Sequence, residues 1–381
     1  GAGRSVGAMT EVFLLIVSLI CGLLFRQEKR LPYTVLLLMG GFVFQGFFSI
    51  VVVPLNPETG KFLEIVRDLD PHVILFVFLP ALVFESAFYT NPHVFIKQLP
   101  NVLLLAFPGV ILATFLTSLF AQHVMYGTQC SNDNPLCVGE PWDFTTAMLF
   151  GSIMSATDPV AVVGLLKELG APEQLGVLIE GESLLNDGSA IVLFTIFSQN
   201  MFAKYDPHIA PKIDPSTQQA VVYGVDTGFG QFVYMAIGGL LIGIIVASIS
   251  LKFLHCLHDN ALSEVAITLV AAYGPFLLAE SFAASGVLAC VGAGMTMALY
   301  RTEVSASVSE FMNETWELLS YLLNTVLFVV TGIFVAYSAR ESPGIRWGHE
   351  LPMAIALYFV LMVVRGVVIA VFFPVLRKCG Y

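Results

Sequence analysis

Eleven long apolar stretches limit this chain of 381 residues to a membrane-embedded fold. Each is long enough for an α-helix to cross the roughly 30 Å hydrocarbon core of a bilayer, where backbone polar groups must bond within their own segment. The predicted spans are approximately 9–25, 32–53, 72–88, 99–125, 143–166, 175–201, 229–255, 262–280, 284–300, 315–337 and 352–376. The connections are short, so the sequence predicts an all-α polytopic membrane protein with a single transmembrane domain over residues 1–381.

The composition excludes several classes of protein. Apolar residues make up 57% of the chain and charged residues 12%, whereas soluble domains carry about 25% charged residues. An ordinary cytosolic enzyme is therefore excluded. A nucleic-acid partner is also not expected, because the formal net charge is −11 and no basic run is present. The expected partner of this surface is the lipid bilayer.

Lysine and arginine near the span ends predict the orientation. Arg26, Lys29 and Arg30 follow the first span, and Arg377 and Lys378 follow the last. Positively charged residues accumulate on the cytoplasmic side of membrane proteins. Placing both clusters in the cytoplasm puts the N-terminus outside the cell, as an odd number of spans requires.

A helix break is predicted in the fifth span, at Asp158-Pro159. Proline removes a backbone donor and disfavours helical structure at the preceding residue, while aspartate is a favoured N-cap. Broken helices inside a membrane are tolerated where they meet protein or a wet cavity. The carbonyl of Thr157 is then a candidate cation ligand. The alternative is a capped kink that binds no ligand.

Asp187 in the sixth span is predicted to lie at nearly the same depth as Asp158. If the sixth helix enters near residue 176, Asp187 is about 16 Å deep and Asp158 about 12 Å, at about 1.5 Å per residue. The short connection makes the two helices antiparallel neighbours, and neither span carries Lys or Arg before Lys167. Two carboxylates without a counter-charge beside a broken helix predict a cation site.

Other charged residues lie within the predicted spans. Glu180 and Asp187 are seven residues apart and share a helix face, whereas Glu182 and Asn186 are i,i+4 neighbours on another face. One glutamate is expected to form a structural ion pair and the other to line the inner access path, and the sequence leaves open which does which. Arg365 in the last span is a candidate partner in a buried ion pair.

The stretch SATDPVAVVGLLKELGAPEQLGVLIEGESLLNDGSAIVL at 155–193 resembles the sodium/proton exchangers of the monovalent cation:proton antiporter family. The pattern is specific, because a broken-helix TDP is followed at the right distance by EGESLLND. Four further segments agree: RLPYT at 30–34, FLPALVFESAF at 78–88, AESFAASGVLA at 279–289 and WELLSYLLNTVLFVVTG at 316–332. Within the family, the chain looks closest to the plant plasma-membrane salt-tolerance type or the sperm-specific type.

The resemblance implies a fold and a setting. The family fold is a thirteen-span homodimer built from two inverted repeats with broken crossing helices, of which eleven spans are expected here. Residence in the plasma membrane is implied, with regulatory cytoplasmic domains outside this chain. No cofactor is implied, since Na⁺ and H⁺ are the transported substrates.

The resemblance also implies roles for individual residues. Asp187 would be the carboxylate that binds the exchanged ion, and Asn186 its neutral neighbour. Asp158 and Thr157 would contribute the broken-helix side, so that Na⁺ binds at Asp187 and Asp158. Ser285, in the ASGVLA stretch, matches a position that reaches the ion.

One departure from the family concerns Glu182. The matching glutamate in the family pairs with an arginine in a GLRGA-like motif, which we expect to follow the sequence LRKCGY that ends this chain. On this interpretation Glu182 has no partner within the chain, and the final two spans are missing.

The function that these observations predict is exchange of Na⁺, or Li⁺, for H⁺ by alternating access. Na⁺ and H⁺ would compete for Asp187, and Asn186 beside it leaves one titrating group, which predicts electroneutral one-for-one exchange. The expected role is regulation of intracellular pH and sodium. The alternatives are another monovalent cation transporter, such as a K⁺/H⁺ exchanger, a cation channel, or an intramembrane hydrolase with paired aspartates.

Overall fold

A computed structural model describes most of the helical part of the chain. The described residues are 16, 18–24, 33–47, 74–125, 142–157, 162, 163, 166, 169–205, 228–257, 259–341 and 347–378. Three residues of the N-terminal positive cluster, Arg26, Lys29 and Arg30, lie outside these ranges, as do Asp158 and Pro159.

All regular structure in the described ranges is helical, so the predicted all-α class is confirmed. The α-helices are α1 (Tyr33–Phe47), α2 (Leu79–Tyr89), α3 (Pro92–Leu104), α4 (Val110–Phe120), α5 (Phe144–Ser155), α6 (Glu173–Tyr205), α7 (Gly228–Cys256), α8 (Ala261–Ser281), α9 (Gly286–Leu299), α10 (Ala306–Glu341) and α11 (Trp347–Lys378). Three π-helical turns join or extend them, at Ile74–Phe78, Leu105–Gly109 and Ala121–Met125, and a 3₁₀ turn covers Arg301–Glu303.

Five helical segments of the described part are long and apolar enough to cross a bilayer. They are Pro92–Val124, which runs through α3 and α4, Gly230–Cys256, Ala261–Ser281, Ala306–Arg340 and Leu351–Arg377. Shorter apolar helices cover Tyr33–Phe47, Ile74–Tyr89, Phe144–Ser155 and Gly286–Leu299. The eleven span boundaries and the inverted repeats stay predictions.

The chain divides into two compact units. The first comprises Gly1–Leu82 with Ser307–Ile345, and the second Val83–Ala306 with Arg346–Tyr381. In the first unit, α1 packs closely on α10 around a core of Leu37, Val329 and Ile333. A Cβ atom added at Gly41 would lie 2.2 Å from the carbonyl oxygen of Val329, so only glycine permits this approach.

The second unit contains α3 to α9 and α11, and its helices position the candidate site. The most extensive contacts join α7, α8 and α9 to one another and α4 to α5, and α6 packs against both α5 and α3. α9 is buried over nearly its whole length. α6 is therefore held by neighbours on several sides, which fixes the positions of the polar residues it carries.

A second interruption separates α8 from α9. α8 ends at Ser281, and Ser285 caps α9 by accepting a hydrogen bond from the amide of Leu288 at 3.3 Å. The amide of Ser285 in turn donates to the carbonyl of Met235 on α7 at 3.0 Å. The hydroxyl and the amide of Ser285 are thus both bonded to backbone groups, and the bond from the amide attaches the break between α8 and α9 to α7.

Close packing of α7 on α9 yields the first testable prediction. A Cβ atom at Gly243 would lie 2.1 Å from the carbonyl oxygen of Ala289 and 3.0 Å from the amide nitrogen of Ala293. These are backbone atoms, so the helices would have to separate. We expect Gly243→Ala to lower the free energy of unfolding by about 1–3 kcal/mol, the usual cost of overpacking.

Thermal unfolding in detergent measures this change, with Gly176→Ala on α6 as the matched control. A Cβ at Gly176 has no heavy atom within 4 Å, and alanine is favoured over glycine in a helix by about 0.5–1 kcal/mol. The control should therefore unfold at the same or a higher temperature. Equal melting temperatures for Gly243→Ala and the unmodified protein would contradict the close approach.

Candidate functional site

The fifth helix ends three residues before the predicted break at Asp158-Pro159, and these two residues lie outside the described part of the chain. α5 ends at Ser155, and Ala156 has φ −67° and ψ 134°, which is extended backbone. Two hydroxyls near this end donate to carbonyls one turn earlier, Ser152 to Leu149 at 2.7 Å and Ser155 to Ser152 at 2.8 Å. Because the helix ends here, the carbonyl oxygens of Ser155 and Thr157 have no amide of the same helix to accept from. They are available to donors on other helices.

α6 supplies the partners of these freed groups. The hydroxyl of Ser183 donates to the carbonyl oxygen of Thr157 at 2.6 Å. The side-chain amide of Asn186 donates to the carbonyl oxygen of Ser155 at 3.2 Å and to the hydroxyl of Thr157 at 3.1 Å. Asn186 is fully buried, so these bonds form away from water. α6 therefore fixes the backbone of the interruption through two side chains that lie one turn apart.

Asn186 also links this interruption to Glu182. Its amide lies 3.5 Å from Oε1 of Glu182, the i,i+4 neighbour that the sequence predicts. The carbonyl oxygen Oδ1 of Asn186 is buried and has no hydrogen-bond partner in the described part of the chain. A buried amide oxygen of this kind is a hydrogen-bond acceptor that a ligand or a water molecule can use.

A buried ion pair anchors Glu182. Arg365 on α11 donates from Nη1 to Oε1 at 2.9 Å and from Nη2 to Oε2 at 2.5 Å, so the contact is bidentate. Glu182 is 2% exposed. The expectation that Glu182 has no partner within the chain is therefore wrong. The arginine belongs to the sequence VVRG within α11, not to a segment beyond the end of the chain.

The remaining predicted residues are distributed around this cluster. Asp187 follows Asn186 on α6, and Asp187 and Glu180 are both half-buried. The described hydrogen bonds of Ser285 are with Met235, Leu288 and Ala289, and its role as an ion ligand stays a prediction. Asp158 and Pro159 lie outside the described residues.

α9 reaches the neighbourhood of Asp187 through an apolar contact. A Cβ atom at Gly188 would lie 2.5 Å from Cγ of Leu288, the residue whose amide Ser285 caps. On its other side, α6 is bonded to α3–α4, because the hydroxyl of Ser189 donates to the carbonyl of Ala106 at 2.6 Å. The segment around Asp187 is therefore held between a helix start and a π-helical turn.

This arrangement suits a hard, weakly bound cation. It combines carbonyl and hydroxyl oxygens from a helix interruption with carboxylates on the adjoining helix, and oxygen ligands are those that small alkali and alkaline-earth ions prefer. Among the described residues, no group of three or more His, Cys, Asp and Glu side chains comes close enough to hold a metal ion.

Comparison with known proteins identifies the family. The family described as "Sodium/hydrogen exchanger, transmembrane" matches residues 15–381, which is nearly the whole chain. The chain belongs to this family of sodium/hydrogen exchangers. It is thus a multi-pass membrane protein of a transporter family.

Individual relatives agree with this assignment. The chain is 32% identical over 376 residues to sodium/hydrogen exchanger 7 of Arabidopsis thaliana and 30% identical over 375 residues to exchanger 8 of the same plant. Each match covers 96% of this chain, but 30% and 45% of the two plant proteins, so this member of the family spans less than half the length of either. The Na⁺/H⁺ antiporter NhaP of Pseudomonas aeruginosa is 31% identical over 80% of this chain and 66% of its own.

A solved structure shows the same fold. The sodium proton antiporter MjNhaP1 from Methanocaldococcus jannaschii superimposes with a TM-score of 0.66 at 18% identity, covering 95% of this chain and 77% of that one. At this identity the likeness extends to the helical architecture alone. The antiporter fold that the resemblance implied is thereby confirmed.

Sequence reasoning missed one member of the site in this family member, Ser183. It lies four residues before Asp187 and three before Asn186, so it shares their side of α6. A hydroxyl at that spacing, opposite a predicted helix break, was the available signal.

Proposed function

We propose that this protein exchanges Na⁺, or Li⁺, for H⁺ across the membrane by alternating access. The observation that carries the proposal is the pair of hydrogen bonds from Ser183 and Asn186 to the interruption after α5. These bonds hold the main chain beside Thr157 in a non-helical form, next to the helix turn that carries Asp187. Family membership and the names of the relatives, which are Na⁺/H⁺ exchangers and antiporters, support the same reaction.

The proposed mechanism is competition for one carboxylate. Asp187 crosses the membrane with Na⁺ bound or with H⁺ bound, and the bare carboxylate is the form whose crossing is disfavoured, because an uncompensated charge in low dielectric is costly. Asp158, Thr157 and Ser285 are proposed as further oxygen ligands of Na⁺. Pro159 is proposed to maintain the break, because proline has no backbone donor for a continuous helix. Glu180 is proposed to line the inner access path, since Glu182 is occupied by Arg365.

Arg365 is proposed to act as the structural partner of Glu182 beside the ion site. Its guanidinium makes two bonds to the carboxylate of Glu182, so its charge is already compensated there.

The reaction is tested in liposomes that contain the purified protein and a pH-sensitive dye. An imposed outward Na⁺ gradient should acidify the lumen, and Li⁺ should replace Na⁺. Exchange driven equally by K⁺ would indicate the broader cation selectivity. Cation flux without any requirement for a proton gradient would indicate a channel and overturn the proposal.

Electroneutral exchange is a separate prediction. Asn186 leaves a single titrating group at this point of α6, so one H⁺ should leave for each Na⁺ that binds. Clamping the membrane potential of the liposomes at different values with K⁺ and valinomycin should leave the initial rate of Na⁺-driven acidification unchanged. A rate that depends on the potential, or a Na⁺-dependent current, would contradict one-for-one exchange.

We also propose that the protein resides in the plasma membrane as a homodimer, with its N-terminus outside, and regulates intracellular pH and sodium. The resemblance to the family and the positive residues Arg377 and Lys378 after the last predicted span support this setting. Regulatory cytoplasmic domains are proposed partners of the transmembrane part.

A further inference from the structure

One hydroxyl of α6 makes a bond to a different helical segment close to Asp187. Ser189 follows Asp187 by two residues and is fully buried. Its hydroxyl donates to the carbonyl of Ala106 at 2.6 Å and lies 3.0 Å from the carbonyl of Asn186 in its own helix. A hydroxyl has one hydrogen to donate, and the shorter of the two distances is the one to the other segment. Ser189 therefore attaches α6 to the span that contains α3 and α4.

The carbonyl of Ala106 is open to this donor because the helix is irregular there. Ala106 lies in the π-helical turn Leu105–Gly109, which contains Pro108 and so has one amide donor fewer. In a continuous α-helix the amide of Val110 would bond the carbonyl of Ala106, four residues earlier. Here it bonds the carbonyl of Phe107 instead. Single π-helical turns inside longer helices are frequent at functional sites, and this one presents a carbonyl to α6.

The π-helical turn is itself held by its neighbours. The ring of Phe107 meets that of Phe232 on α7 edge to face, with the centroids 5.9 Å apart. Val110, directly after the turn, packs in an apolar core with Phe232 and with side chains of α6. Ala106 is fully buried. The bond from Ser189 thus ends at a point whose position is also fixed by contacts with α7.

The bond lies on the side of α6 that is nearly opposite to Asp187. Successive residues of an α-helix are about 100° apart, so Ser189 and Asp187 differ by about 200° around the axis. Apolar contacts are not directional, whereas a hydrogen bond has a preferred geometry. Rotation of α6 about its axis would therefore break the bond at Ser189 and swing the carboxylate of Asp187 through the same angle.

The other polar bonds of this part of α6 lead to a different segment. Ser183 and Asn186 bond the interruption after α5, so they fix α6 relative to the backbone beside Thr157. The bond of Ser189 fixes α6 relative to a third segment, the π-helical turn. The turn of α6 that carries Asp187 is consequently held from two directions.

We propose that Ser189 is a positioning residue for Asp187: its bond to Ala106 sets the rotation of α6 and thus the position of the carboxylate in the ion site. The inference rests on the exchange proposed above, in which Asp187 binds Na⁺ or H⁺. Ser189 acts through Asp187 and is not an ion ligand, because its hydroxyl is bonded to carbonyls on the other side of the helix. Loss of the hydroxyl should therefore weaken ion binding and leave the step that carries the bound ion across the membrane unchanged.

The test compares Ser189→Ala with Ser198→Ala in liposomes. Ser198 is the matched control, because its hydroxyl bonds only within α6, to the carbonyl of Thr195 at 3.0 Å. In Ser189→Ala the Na⁺ concentration for half-maximal exchange should rise about three- to tenfold, the effect of one hydrogen bond. The maximal rate per folded protein should stay within about twofold, since only binding is altered. The control should leave both quantities unchanged.

A second variant changes the same bond from the other helix. Pro108→Ala restores an amide donor and favours a regular α-helix, in which the amide of Val110 bonds Ala106 and competes with Ser189. It should raise the same Na⁺ concentration. The double variant with Ser189→Ala should be no worse than the more affected single variant, because both substitutions act on one bond.

Several results would overturn the assignment. They are an unchanged half-saturating Na⁺ concentration in Ser189→Ala, an equal rise in Ser198→Ala, or effects of the two substitutions that multiply in the double variant. A lower melting temperature with normal kinetics of the folded protein would show that the bond serves stability alone, and would also overturn it. Absence of exchange in the unmodified protein would instead refute the proposed function on which the inference rests.

Discussion

Asp187→Asn is expected to reduce Na⁺-driven proton movement in liposomes to the level of protein-free vesicles. Asparagine preserves the shape of the side chain but can neither release a proton nor carry a negative charge, so neither exchanged ion is neutralised at this position. The protein should still fold, because the hydrogen bonds that hold the interruption after α5 come from Ser183 and Asn186. Size-exclusion chromatography and the melting temperature in detergent check this.

The matched control is Glu173→Gln at the start of the same helix. Its carboxylate oxygen accepts a hydrogen bond from Asn91 at 2.9 Å, and glutamine retains an acceptor there. Exchange in the control should equal that of the unmodified protein. Persistence of Na⁺-driven acidification in the Asp187→Asn variant would remove the central element of the proposed mechanism.

Arg365→Met is expected to cause the largest loss of stability among single substitutions at the site. It would leave the carboxylate of Glu182, which is 2% exposed, charged and without its bidentate partner. Breaking a buried ion pair by removing one partner costs about 3–5 kcal/mol. The Arg365 side chain is 36% exposed, so water can reach it, and we expect the lower end of that range.

Two further variants separate the ion pair from other effects of the change. Arg377→Met alters an exposed arginine of the same helix and should leave the melting temperature nearly unchanged. Adding Glu182→Met to Arg365→Met removes the unpaired charge and should recover much of the loss, since buried pairs replaced by apolar residues are often tolerated. If Arg365→Met unfolds at the same temperature as Arg377→Met, the pair does not stabilise the fold.

Local patterns in the sequence predicted the elements of the site but not its long-range contacts. The break near Asp158 and the i,i+4 relation of Glu182 and Asn186 follow from helix geometry and proline chemistry, which act over a few residues. The bond between Glu182 and Arg365 joins positions 183 residues apart in sequence. No periodicity connects such positions, and the interpretation of the chain end placed the arginine in the wrong segment.

The hydrogen-bond geometry was also beyond sequence reasoning. A serine at a helix interruption, such as Ser285, reads equally well as an ion ligand and as a helix cap, and its described bonds are to backbone. Ser183 carries no special pattern of its own, yet it bonds the carbonyl of Thr157. Which oxygen meets which donor depends on how α5 and α6 pack, and packing is decided by apolar contacts over the whole unit.

The glycine contacts between α7 and α9 have a consequence for motion. At Gly239 and Gly243 the main chain of one helix comes against main-chain atoms of the other, so no layer of side chains is available to slide or change rotamer between them. Two helices in such contact can move together as one rigid body, but they cannot slide past each other in small steps. Amide hydrogens where α7 meets α9 should therefore be among the slowest in the molecule to exchange with deuterium.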